Sequence, residues 1–160
     1  MMADCLHTYR AFISKKEILL GLILLFLLSQ ITILLLTSGL GPDFLQLQLT
    51  FAADKFSEIV KSWHSSGLII TYYRHFILDY ITHPLLYGLA LSSFMAWVFV
   101  RRDMQPKYDI YLLLPFIAST LDIIENNLHL YLLTHLDRIS DNIVLVSGPA
   151  VGQNGQLHLH

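Results

Sequence analysis

The stretch LLPFIASTLDIIENNLHLYLL, Leu113–Leu133, decides the fold, because it is long enough to cross a membrane and carries polar side chains in its interior. These are Asp122, Glu125, Asn126 and His129. At about 100° per residue they lie within roughly 100° of one another on a helix, so one face is polar and the rest is apolar. An ionised carboxylate at the centre of a helix in hydrocarbon costs at least about 2.5–3.5 kcal/mol. The stretch therefore predicts a membrane helix whose polar face is turned toward another helix or a wet cavity.

Composition points to the same class of protein. Hydrophobic residues make up 54% of the 160-residue chain and charged residues 14%, whereas about a quarter of the residues in a soluble domain are charged. The formal net charge of −2 predicts no nucleic-acid partner, and Cys5, the single cysteine, excludes an intrachain disulfide. The motifs G-x-x-x-x-G-K-[ST], C-x-x-C, G-x-S-x-G and H-E-x-x-H are missing. We expect an integral membrane protein in contact with membrane lipid, with no cofactor.

The expected fold class is an all-α, polytopic helical membrane bundle with three transmembrane helices and one amphipathic external helix. The predicted spans cover about residues 18–36, 81–100 and 112–134 of a single bundle that occupies residues 1–142. Residues 143–160 are expected to form a flexible tail. A cleaved signal peptide is the alternative for the first run, but apolar regions of signal peptides are only about 7–15 residues long. An uncleaved helix is therefore favoured.

The connection between the first two spans, residues 43–80, is predicted to be amphipathic. Alternation of Leu45, Leu47 and Leu49 with polar residues indicates a short extended or interfacial stretch. The helix that follows carries one apolar side, opposite its charged residues. We expect it to pack over the bundle at the membrane surface, with a lid over an internal site as the alternative. Its apolar side is formed by Phe56, Ile59, Val60 and Trp63.

The second span carries a stripe of small residues, Gly88, Ser92 and Ala96, at four-residue spacing. Such a stripe allows another helix to approach closely, either within the chain or in a homo-oligomer. On a different face of the same helix, Asp79, His83 and Tyr87 also recur every four residues. The second span therefore offers one face for packing and another for polar contacts.

Basic residues indicate the topology, because short cytoplasmic loops are enriched in lysine and arginine. They cluster before the first span and between the second and third, which places the N-terminus and the 101–107 turn in the cytoplasm. Asp79 and His83 then lie at the outer end of the second span. Glu125 and His129 lie in the outer half of the third span, at a similar depth in the membrane. We expect the two polar faces to meet. The basic residues are Arg10, Lys15, Lys16, Arg101, Arg102 and Lys107.

The segments YRHFILDYITHPLLYGLAL and LPFIASTLDIIENNL resemble a family of small, mostly bacterial, uncharacterised four-helix integral membrane proteins. The resemblance covers about residues 18–133 and includes an aspartate before a Tyr-Pro pair, a following tyrosine, and the pattern D-x-x-E-N. His83 stands where the family tyrosine would precede the proline, and the fourth span is absent after Asp141. The family has no assigned activity, so the resemblance implies a fold and no function. Its motif positions here are Asp79, Pro84, Tyr87, Asp122, Glu125 and Asn126.

Three functional hypotheses remain open. In the first, the polar side chains form an interhelical hydrogen-bond network that fixes the helices in lipid. In the second, the protein is a membrane enzyme or binder for a lipid-like molecule, because paired carboxylates in a low dielectric split their pKa values into an acid and a base. Glu125 would then transfer the proton, with Asp122 as its partner and Asn126 as an orienting hydrogen-bonder.

In that second hypothesis, Asp79, His83 and Tyr87 would form the ligand-binding wall opposite the carboxylates. The third hypothesis is a metal site, because Asp79 with His83 and Glu125 with His129 each place an oxygen and a nitrogen ligand one turn apart. Each pair is one residue longer than the E-x-x-H spacing of di-iron bundles.

Overall fold

The computed structural model describes residues 2–50 and 52–135, and this part of the chain is helical apart from short turns between the helices. The predicted flexible tail, residues 143–160, lies outside the described residues. Two short 3₁₀ helices, Ser38–Leu40 and Pro106–Leu113, connect α-helices. The α-helices in chain order are α1 Met2–Ile13, α2 Lys16–Thr37, α3 Asp43–Leu49, α4 Ala53–Ser66, α5 Ile69–Asp79, α6 Thr82–Arg101 and α7 Leu114–Thr134.

Two of these helices are long and apolar enough to cross a membrane. The first is α2 with its 3₁₀ extension, Lys16–Leu40, with a mean hydropathy of 2.8, and the second is α6, with 1.4. The third predicted span, residues 112–134, is not among the candidates in the described residues. It begins in the 3₁₀ helix, and the polar residues of α7 lower its average hydropathy, although its length of 21 residues is sufficient.

Helices α2 and α6 pack against each other in opposite directions. Ile13, just before α2, joins Ala96 and Phe99 of late α6 in one buried cluster. Farther along α2, Ser29 Oγ lies 2.8 Å from Nδ1 of His83 at the start of α6. The N-terminal end of each helix therefore lies beside the C-terminal end of the other.

Helix α1 is fastened to the far end of α6 and to the Pro106–Leu113 helix. Arg10 donates hydrogen bonds of 2.9 Å to the Met104 carbonyl and to Asp109 Oδ1, and both side chains of this ion pair are buried. The Tyr9 hydroxyl lies 3.0 Å from Ser92 Oγ, and burial raises the pKa of Tyr9 above its ordinary value. These contacts bring the two predicted basic clusters to the same end of the bundle.

At the opposite end, α3, α4 and α5 enclose a separate core. The predicted apolar side of α4 is confirmed, since Phe56, Ile59, Val60 and Trp63 are all buried. The predicted extended stretch at 45–49 is wrong: these residues belong to α3, and Leu47 is buried in the same core. Gly67 ends α4 with φ 78°, a left-handed conformation in which a side chain would be strained.

The small-residue stripe of α6 is used within the chain. A Cβ on Gly88 would overlap Ser119 Oγ of α7, so the two backbones are in close contact there. Ser92 Oγ donates to the Leu112 carbonyl at 2.9 Å, and Ala96 has no exposed surface. Self-association through the same stripe stays a prediction, and it would require these contacts to open.

Candidate functional site

The polar residues predicted from the sequence meet where α5 ends, α6 begins and the middle of α7 passes beside them. Asn126 is buried and donates from Nδ2 to the backbone carbonyl of Asp79 at 2.8 Å. Asp79 is the last residue of α5, and carbonyls at a helix C-terminus have no partner within the helix. Asn126 therefore satisfies a backbone group at the break between α5 and α6.

Tyr87 connects α6 to the carboxylates of α7. Its hydroxyl lies within hydrogen-bonding reach of Ser119 and Asp122. Asp122 also interacts electrostatically with Asp79 and with Glu125, and both α7 carboxylates are half-buried. Three acidic side chains thus lie near one another, and Tyr87 lies close to one of them.

Ser119 adds a second direct link between α6 and α7. Its hydroxyl is 2.6 Å from the Pro84 carbonyl in the first turn of α6 and 3.0 Å from the Pro115 carbonyl of its own helix. Outside the buried region, the Tyr80 hydroxyl donates to Asn127 Oδ1 at 2.5 Å. The predicted contact between the two polar faces is therefore present along most of α7.

His83 faces α2 and is separated from its predicted partner Asp79. It is 8% exposed, its ring stacks on Phe26, and its Nδ1 lies 2.8 Å from Ser29 Oγ. Asp79 instead lies beside His75, the distance from Nε2 to Oδ2 being 3.5 Å. The helix break at Tyr80 and Ile81 changes the register between α5 and α6, so the four-residue spacing from Asp79 to His83 does not put them on one face.

Tyr72 of α5 lies under this site, packed against Trp63 and His75. Burial raises the pKa of Tyr72 far above its ordinary value, and the negative charges of Asp79 and Glu125 raise it further. Its hydroxyl is buried without a hydrogen-bond partner among the described residues. Tyr72 therefore stays a neutral phenol, and it serves as part of the core.

A groove of about 440 Å³ lies between α2 and α6, beside this polar region. Gln30, His83 and Tyr87 line its polar end, and Ile23 and Phe94 line its apolar end. Its volume falls within the roughly 300–1,000 Å³ of small-molecule pockets. The groove has the size and the largely apolar lining needed to hold one apolar or amphipathic molecule.

The groove divides the residues that the sequence singled out. His83 and Tyr87 line it, whereas Asp79, Asp122, Glu125 and Asn126 do not. Tyr87 and His83 both line the groove and interact electrostatically with Asp122 of α7.

Sequence reasoning missed the contribution of α2. Ser29 holds His83, and Phe26 covers the His83 ring. Gln30, the next residue along α2, lines the groove. A signal was present, because Phe26, Ser29 and Gln30 are spaced three and four residues apart on a helix that is otherwise almost uniformly aliphatic.

The geometry gives the metal hypothesis no support. Among residues 2–50 and 52–135, no group of three or more His, Cys, Asp or Glu side chains could hold an ion. The predicted pair of Asp79 and His83 is separated, since Asp79 lies 3.5 Å from His75 and His83 faces Ser29.

Comparison of the chain with protein-family models, with curated proteins and with solved structures finds no match. The resemblance to small four-helix membrane proteins therefore stays a prediction. The function has to be argued from the geometry of the chain itself.

Proposed function

We propose that this chain is an integral membrane protein whose polar residues on α6 and α7 hold the helices together and whose groove between α2 and α6 binds a lipid-like molecule. The observation that carries the membrane assignment is the surface of α2. Only 17% of its most apolar window is buried, and soluble monomers rarely expose apolar patches larger than a few hundred Å². Lipid is the solvent that makes this surface stable. Exposed α2 residues include Leu20, Leu24, Leu28, Ile31, Leu34 and Leu35.

We further propose that α7 crosses the membrane beside α6. The two helices are in contact where Ser119 binds the Pro84 carbonyl and where Gly88 lies against Pro115, so α7 shares the depth of α6. The low average hydropathy of α7 comes from the face that meets α5 and α6, since its outward face is apolar. Outward residues are Leu114, Ile117, Leu121 and Ile124.

The topology follows from the basic residues gathered at one end. Arg10 is joined to the Pro106–Leu113 helix, so the basic residues that precede α2 and follow α6 lie on one side. The positive-inside rule makes that side cytoplasmic. The α3–α5 unit and the polar region then lie at the outer surface.

The primary role of Asp79, Asn126 and Ser119 is to form a polar network between the helices. Without a hydrophobic driving force between helices in lipid, small residues and interhelical hydrogen bonds hold helices together. Asn126 and Ser119 each donate to a carbonyl of another helix, and Gly88 allows the approach. The break between α5 and α6 is fixed by the same contacts.

Binding of a lipid-like molecule is the second role, and the groove favours it over proton-transfer catalysis. Asp122 and Glu125, the proposed acid and base, do not line the groove. Asp122 lies behind two residues that line the groove, Tyr87 and His83, and interacts electrostatically with both. A bound molecule would therefore meet His83, Tyr87 and Gln30 first, which suits binding better than direct transfer of a proton from Glu125.

The membrane proposal is tested with Cys5, the single cysteine of the chain, which is exposed on α1. We expect the protein to stay in the membrane fraction after alkaline extraction. A membrane-impermeant maleimide added to intact cells should leave Cys5 unlabelled and should label it once the membrane is opened. Extraction into the soluble fraction at high pH would contradict membrane insertion. Labelling of Cys5 in intact cells would show that the topology is the opposite of the one proposed.

The network proposal predicts that Asn126→Ala destabilises the fold by about 1–3 kcal/mol, because the Asp79 carbonyl loses its buried donor. Thr120→Ala is the matched control, since Thr120 is exposed on the same helix and its hydroxyl binds the Phe116 carbonyl of that helix, and it should cost less than about 1 kcal/mol. Chemical unfolding of the purified protein in detergent, followed by circular dichroism, measures both. Equal losses for the two variants would remove Asn126 from the network.

A further inference from the structure

The groove between α2 and α6 has a polar end and an apolar end, and their order along the helices is fixed. Gln30 and His83 lie toward the outer end of their helices, whereas Ile23 and Phe94 lie deeper. At about 1.5 Å per residue, His83 and Phe94 are separated by about 16 Å along α6. A molecule in the groove would therefore place its polar group near α5 and its chain toward the cytoplasmic end.

The hydrogen bonds around Ser29 determine which nitrogen of His83 carries a proton. Ser29 Oγ donates to the Phe26 carbonyl at 2.8 Å, and a hydroxyl has a single proton to give. The contact of 2.8 Å between Ser29 Oγ and His83 Nδ1 must therefore be donated by the histidine. In the neutral ring Nε2 is then an acceptor.

The acceptor at Nε2 has no hydrogen-bond partner within the described part of the chain, although His83 is 8% exposed and lines the groove. Gln30, across the groove on α2, likewise has no hydrogen bond to another described residue, and its amide can donate. A ligand hydroxyl has the donor and the acceptor that these two groups need, since it can donate to His83 Nε2 and accept from the Gln30 amide.

Charge around the groove selects against an anionic headgroup. Its lining holds no lysine or arginine, and the ionisable partner of Tyr87 is the carboxyl group of Asp122. A phosphate or carboxylate placed beside Tyr87 would meet a like charge with no lysine or arginine to balance it. An uncharged polar group fits this end of the groove.

Resting on the proposed membrane-embedded binder, we propose that the occupant is a neutral lipid alcohol: one apolar chain carrying an uncharged hydroxyl, with the hydroxyl between His83 and Gln30 and the chain along Leu27 and Phe94. The volume of about 440 Å³ matches such a molecule. Pockets of this volume hold small molecules. The occupant is therefore a lipid rather than a second protein.

The test uses a photoactivatable diazirine analogue of hexadecanol with the full chain purified in detergent. We expect labelling of α2 and α6 that excess hexadecanol suppresses about tenfold or more, whereas palmitate and hexadecyl phosphate leave it nearly unchanged. Suppression by palmitate or hexadecyl phosphate equal to that by hexadecanol would overturn the neutral-alcohol inference and leave the lipid-binding proposal standing. Labelling that none of the three competitors suppresses would overturn both.

Two variants locate the label. Leu27→Trp fills the groove from α2 and should lower labelling about tenfold, whereas Leu28→Trp, on the adjacent exposed position outside the groove, should leave it unchanged. Gln30→Leu replaces a half-buried side chain by one of similar size that cannot form a hydrogen bond. In this variant hexadecanol and its methyl ether should suppress labelling equally well. Equal labelling of the two tryptophan variants, or an unchanged preference for hexadecanol over its methyl ether in Gln30→Leu, would contradict the proposed position. A copurified peptide crosslinked to the groove in place of lipid would also contradict the proposal.

Discussion

Arg10→Met is expected to destabilise the protein by about 3–5 kcal/mol, because it leaves the buried carboxylate of Asp109 without its cation. The side chain of Asp109 is 2% exposed, and its Oδ2 already has no hydrogen-bond partner in the described structure. Arg10 also donates to the Met104 carbonyl at 2.9 Å, so the turn between α6 and α7 loses a second contact. Chemical unfolding in detergent, followed by circular dichroism, measures the loss.

Arg102→Met is the matched control for Arg10→Met. Arg102 lies at the same end of the bundle and is exposed, so its replacement should change stability by less than about 0.5 kcal/mol. The double variant Arg10→Met with Asp109→Leu should regain much of the loss, because a buried ion pair can often be replaced by apolar residues at little cost. A similar small loss in Arg10→Met and Arg102→Met would show that the Arg10 ion pair does not hold α1 to the bundle.

Gly88→Leu is the second variant with a large expected effect, a loss of at least about 3 kcal/mol, at the upper end for overpacking a core. Even a Cβ at this position would overlap Ser119 Oγ, which is held between the Pro84 and Pro115 carbonyls. The larger side chain would separate α6 from α7. The same unfolding measurement gives the loss of stability. The concentration of denaturing detergent at which helicity is lost provides a second measure of it.

Gly21→Leu provides the comparison for Gly88→Leu. Gly21 lies in α2 and has nothing within 4 Å of a Cβ built on it. Because glycine is a poor helix former, this substitution should be neutral or should stabilise by about 0.5–1 kcal/mol. If Gly88→Leu behaved like Gly21→Leu, the close contact between α6 and α7 would be wrong.

The sequence predicted the elements that apolar runs and helical spacing define. Helices α2 and α6 begin and end within about two residues of the predicted spans, because uninterrupted apolar runs leave little choice of position. The buried side of α4 was found from its three- and four-residue spacing. The prediction of an extended stretch from Leu45, Leu47 and Leu49 was wrong. Alternation over five residues suits a strand, whereas contact with the α4–α5 core favours α3 as a helix.

The contacts of the site were harder to predict than its members. Asn126 was singled out as polar, but its partner is a backbone carbonyl of Asp79, which no residue pattern identifies. The break between α5 and α6 separates Asp79 from His83 and frees His83 to face Ser29. Arg10 was assigned only a topological role, because its partner Asp109 is 99 positions away in sequence.

The most direct test of the account asks whether the polar face of α7 meets α6. A cysteine Cβ at position 88 would lie 3.4 Å from Ser119 Cβ, close to the roughly 3.5–4.5 Å of disulfides. In a Cys5→Ser background, Gly88→Cys with Ser119→Cys should form a disulfide in native membranes on mild oxidation. Tryptic fragments cut at Arg101 and Arg102 would then stay joined until reduced. Gly88→Cys with Ile117→Cys, on the exposed face of α7, should stay uncrosslinked, and crosslinking of that pair in place of the first would contradict the account.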